Sequence, residues 1–80
     1  MTNAAMLKGL IVSRGETQAE LAEILHMNPT TLNQKINNRA KFFSDEMVVI
    51  KEHYGLSAEE FCNIFLQKVS NLDTKLKSDS

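Results

Sequence analysis

Eighty residues with 42% hydrophobic content suffice for one compact domain with a single core and leave no room for a second. A lone cysteine, Cys62, excludes an intrachain disulfide. The opening residues show no charged stretch leading into an apolar run and no bilayer-length apolar span, so a cytoplasmic protein is expected.

Five short helices are predicted in chain order, with no convincing strand pair. Ala4, Leu7, Leu10 and Ile11 give the first helix its apolar stripe, and Gly15 terminates it after Arg14. Thr17 starts the second, with Glu20 three residues on completing a capping-box pattern and Leu21, Ile24 and Leu25 facing inwards.

The third begins at Asn28, a capping side chain, followed by Pro29, whose fixed φ suits a first helical position. Its inward positions are Leu32 and Ile36, four apart on one face. The rest of "NPTTLNQKINNR" is rich in Thr and Asn, which are poor helix formers and therefore need a reason for being there.

The fourth contains "MVVI", whose β-branched residues favour strands. Ser44 as cap, Asp45 and Glu46 in the first turn and Gly55 after Tyr54 tip it to a helix. Ser57 with Glu60 repeats the capping box for a fifth helix bearing Phe61, Ile64, Phe65 and Val69. Residues 1–69 are expected to form the domain, and residues 70–80 a polar tail.

The formal charge of −1 counts against a uniformly basic protein, but phosphate affinity depends on where charges lie rather than on their sum. From Ile24 to Ser44 there is no Asp or Glu, whereas Lys35, Arg39 and Lys41 fall inside that window. Acids flank it at Glu16, Glu20 and Glu23 and again from Asp45.

The second and third helices have the spacing of a helix-turn-helix. Ala22 is small where two helices cross, Leu21, Leu25 and Leu32 share a core, and Met27 closes the turn. "TQAELAEILHMNPTTLNQKIN", residues 17–37, resembles the helix-turn-helix of the Cro and lambda-type repressor family, especially its short phage and prophage members. The resemblance extends over residues 4–66 and implies an all-α, five-helix, lambda-repressor-like DNA-binding domain.

It implies that Gln18 contacts a DNA phosphate and braces a reading residue, and that Thr30, Asn33 and Gln34 project towards base edges or nearby phosphates. The chemistry agrees, since Asn and Gln can each bond two atoms of an adenine in the major groove and a Thr methyl can touch that of thymine. Lys35, Arg39 and Lys41 are expected on phosphates. Thr17 is mainly a helix cap, with a secondary phosphate contact through its hydroxyl.

Three positions depart from the family pattern. His26 stands where Gly usually occupies the turn, in a place that needs positive φ. Asn38 stands where Gly commonly ends the recognition helix. Ile11 and Ile36 take the places of an Arg–Glu pair and are expected to be buried against each other without a cost for burying charge.

Other readings are plainer. Phe42 and Phe43 are expected to fold the loop back onto the core, because duplex DNA offers no unstacked base. Cys62, near Phe61 and Phe65, reads as a small buried or interface thiol. His26 and His53 have no metal-ligand spacing, and no phosphate loop or nucleophile motif is present, so neither catalysis, cofactor, metal nor small-molecule substrate is expected.

The expected function is sequence-specific binding of a double-stranded DNA operator by a transcriptional regulator. A self-cleaving repressor is not expected, since the chain ends where a cleavage domain would begin. A homodimer on DNA is expected, and Phe65, Val69, Leu72 and Leu76 read either as an extension of the fifth helix that forms its seam or, beyond the domain, as part of a frayed tail. The rival reading is a protein-interaction module, an antirepressor or antitoxin, that keeps the fold and binds a protein.

Overall fold

The computed structural model describes residues 1–66, and within them the chain is all-helical. The expected domain end at 69, the polar tail and the seam positions Val69, Leu72 and Leu76 lie outside the described residues. Helix α1 covers Ala4–Ser13, α2 Gln18–Ile24, α3 Pro29–Ile36, α4 Ser44–Tyr54 and α5 Ala58–Phe65. None is long and apolar enough to cross a membrane.

The helix starts follow local side-chain chemistry, because the first backbone N–H groups of a helix lack partners within it. At α2 the Thr17 hydroxyl accepts from the Glu20 N–H (3.1 Å) while the Glu20 carboxylate accepts from the Thr17 N–H (2.9 Å). Ser57 and Glu60 repeat this at α5. Asn28 Oδ1 accepts from the Thr30 N–H (2.7 Å), and Asn3 caps α1 through the Met6 N–H.

Helix α4 starts differently from expectation. The cap position is Phe43 rather than Ser44, with no side-chain cap bond, and Ser44 is already helical. The orphan donor is met from the other side: the Glu46 carboxylate reaches back to the Phe43 N–H at 2.9 Å. "MVVI" is helical, and Gly55 ends α4 in the left-handed conformation at φ 63°, which glycine adopts without a Cβ clash.

The core is one cluster that draws on every helix: Leu7 and Ile11, Leu21 and Ala22, Leu32 and Ile36, Ile50 and Tyr54, Ile64 and Phe65. Leu21, Ala22 and Leu32 are fully buried, so α2 and α3 are held as one packed pair. Ile11 and Ile36 are both buried in this cluster. Leu25 and Met27 pack against its edge.

His26 and Asn38 both take positive φ, 57° and 65°. Asn38 adds side-chain bonds there, its Oδ1 accepting from the Thr2 N–H (2.8 Å) and its Nδ2 donating to the Thr2 carbonyl (2.9 Å). The chain start is thereby pinned beside the end of α3.

Candidate nucleic-acid interface

Burial of Leu32 and Ile36 fixes the rotation of α3 about its axis, and Thr30, Asn33 and Gln34 are left exposed on the opposite side. These three follow helical spacing of three and four, so they share one face. Asn33 Nδ2 donates to Gln18 Oε1 at 3.3 Å, which joins the first residue of α2 to the exposed face of α3.

That bond has a chemical consequence. One Asn33 N–H is used on Gln18, and among the described residues its second N–H and its side-chain carbonyl oxygen have no partner, the donor and acceptor pair that adenine's N7 and N6 groups complement. The Gln18 amide nitrogen keeps its own donors. Gln34 is exposed, and its side-chain amide makes no hydrogen bond among the described residues.

The cations separate into two kinds. Arg39 is exposed, and its backbone N–H donates to the Gln34 carbonyl at 2.8 Å, so the chain folds back across the end of α3 and keeps Arg39 beside Gln34. Lys41 is exposed two residues further on and lines a cleft of about 390 Å³ with Met1, Asn38 and Phe42. It therefore lies with the N-terminal residues rather than with Gln18 and Asn33.

Lys35 departs from its expected place on the phosphate-facing surface. Only 7% of it is exposed, and its ammonium lies 2.7 and 2.8 Å from the two Glu46 carboxylate oxygens. The Phe43 ring covers the same ammonium at 4.4 Å from the centroid. A buried and neutralised cation cannot reach a phosphate. A signal was present in the sequence, because position 35 lies three residues after Leu32 and beside Ile36, on the inward stripe.

Two aromatic neighbours divide in the same way. Phe42 turns inwards, edge-on to Phe65 at 5.4 Å between ring centroids. Phe43, expected inside with it, is 64% exposed, because its ring lies over Lys35 rather than in the core. Cys62 is exposed rather than buried.

The Thr17 hydroxyl is bonded in both directions to Glu20, accepting from its N–H and donating to its carboxylate at 3.3 Å, and so serves the helix cap. Beside it, Glu16 accepts from the Tyr54 hydroxyl at 2.7 Å and is bonded to His53 Nε2 at 2.8 Å. These bonds hold the Glu16 carboxyl below its usual range, the Tyr54 hydroxyl first among them. Nothing local in the sequence marks this cluster, whose members are 37 and 38 residues apart.

Among the described residues no group of three or more His, Cys, Asp or Glu could hold a metal ion. No family model matches the chain, and neither a curated protein nor a solved structure matches it.

Proposed function

We propose that this protein is a sequence-specific regulator of transcription that binds a double-stranded DNA operator through α2 and α3, used as a helix-turn-helix of the lambda-repressor kind. The observation that carries the reading is the exposed polar face of Thr30, Asn33 and Gln34, braced through Gln18 and set in a stretch without acids from Ile24 to Ser44. Polar side chains on a helix that gains no stability from them have a use where base edges must be read.

In this reading Asn33 and Gln34 bond base edges in the major groove, and Thr30 touches a base methyl or edge. Gln18 and Arg39 hold phosphates, with Lys41 and the Thr17 end of α2 as outer contacts. Regulation follows from occupancy, since a protein on the operator excludes polymerase. One recognition helix spans few base pairs, so two copies on half-sites about one helical turn apart give a usable site. The role is that of a Cro-like or short repressor of phage or prophage type, acting without cofactor, metal or catalysis.

Selection of bound duplexes from a random DNA pool tests this reading. A recovered motif repeated with two-fold symmetry at about ten base pairs supports it. A rival reading rests on α4, where Asp45, Val48, Val49 and Glu52 form an exposed stripe of apolar residues between acids. A protein that binds no duplex at low salt favours that rival, an interaction module such as an antirepressor or antitoxin.

A further inference from the structure

Lys35, Glu46 and Phe43 form a closed arrangement for which the interface has no direct use. The Lys35 side chain is 8% exposed and that of Glu46 17%, so the pair is largely withdrawn from water. An ion pair in such a place costs desolvation and is tolerated when both charges are well bonded. Here they are: Lys35 spans both carboxylate oxygens, Glu46 Oε1 also takes the Phe43 N–H, and the Phe43 ring faces the ammonium.

The position of the three residues matters more than their energy. Lys35 is in the last turn of α3, Glu46 in the first turn of α4, and Phe43 ends the loop between them. That loop carries Arg39 and Lys41. Its start is tied to α3, where the Arg39 and Ala40 N–H groups donate to the Gln34 carbonyl (2.8 and 3.2 Å). Its end is tied through Phe43 and Glu46 to Lys35.

We propose that the Lys35–Glu46 pair, closed over by Phe43, is a positioning device that holds the loop of residues 37–43 against α3 and so presents Arg39 to a DNA phosphate beside the reading face, with Lys41 as an outer contact. This rests on the DNA-binding reading above. Lys35 is then a positioning residue that touches no phosphate itself.

The test uses the full chain with Glu46→Gln. The amide keeps an oxygen for the Phe43 N–H but leaves the Lys35 ammonium without its counter-charge. Amide hydrogen exchange is followed at Arg39 and Ala40, whose N–H groups belong to the loop, and at Leu21 in α2 and Leu25, which caps its end, as an internal reference. Exchange at Arg39 and Ala40 is expected to rise about tenfold with Leu21 and Leu25 unchanged, a local rather than global opening.

Affinity for a selected duplex is expected to fall about tenfold with an unchanged salt slope, because no phosphate contact is removed. Lys35→Met should reproduce both effects, and Lys35→Arg, which keeps a cation for Glu46 and Phe43, should restore both. Unchanged exchange in the loop, or equal acceleration at all four amides, overturns the proposal. So does a salt slope lowered by about one in Lys35→Met, which would put Lys35 on a phosphate. If the parent binds no duplex, the DNA reading fails by itself, and the exchange measurement still decides whether the pair holds the loop.

Discussion

The Tyr54 hydroxyl donates to Glu16 Oε1 across 2.7 Å and ties the last residue of α4 to the loop just ahead of α2. Arg14 reinforces the joint, its Nη1 donating to the Tyr54 carbonyl at 2.7 Å while its guanidinium lies over the Tyr54 ring. Burial, and then the bond to the Glu16 carboxylate, push the Tyr54 phenol well above its usual range. The two members of the pair are therefore shifted in opposite directions.

The pH dependence of stability follows from those directions. Unfolded Glu16 titrates near 4.5 and the folded group lower, so the unfolded chain binds more protons between those values. This contribution is complete above about 4.5 and is lost as pH falls through the folded value. Unfolded Tyr54 titrates near 10.0 and the folded group higher, so its contribution is complete below 10.0 and is lost as pH rises beyond it. Tyr54→Phe should cost about 1 to 2 kcal/mol at neutral pH and flatten both limbs. Thermal melts of parent and variant from about pH 3 to about pH 11 check this.

Ile36→Glu places a carboxylate without a partner at a position with 0% exposure. A loss of about 3 kcal/mol or more is expected, since Ile11 in the same cluster offers no counter-charge. Urea unfolding measures it, and a midpoint equal to that of the parent would show that the inward phase of α3 is misassigned.

His26 is a test of backbone strain. At φ 57° its Cβ is unfavourably placed, so His26→Gly should stabilise by about 0.5 to 1 kcal/mol, and His26→Val should destabilise by at least as much. Thermal melts of both variants check the sign. Asn38, at φ 65°, should not gain from the same change, because its amide holds both backbone groups of Thr2.

The features legible in the sequence were local ones. The Thr17–Glu20 and Ser57–Glu60 boxes and the Asn28 cap depend on residues within four positions of each other, whereas the positive φ of His26 was expected from the family resemblance alone. The Ser44 cap was displaced by one residue because Glu46 bonds the Phe43 N–H while also holding Lys35. The exposed face of α3 followed from the phase set by Leu32 and Ile36, and the same phase buries Lys35, where charge type was a misleading guide to exposure. The Glu16–Tyr54–His53 cluster had no local signature, since it exists only when the end of α4 packs against the loop before α2.

Gln34 and Arg39 should fail in different ways. Gln34→Ala is expected to lose about 1 to 3 kcal/mol on the best site and to relax preference at one base position per half-site. Arg39→Ala should weaken all sequences alike and lower the salt slope by about one. Binding to matched and single-base-altered duplexes separates them, and the reverse pattern would exchange the two roles.

The central claim, that α3 reads duplex DNA, is tested most directly by titrating the protein against its selected duplex and a shuffled duplex of equal composition at about 50 and about 200 mM salt. The selected duplex is expected to bind at least about a thousandfold tighter than the shuffled one, with both weakening as salt rises. Equal affinity for the two duplexes, or no binding to either at the lower salt, would contradict it.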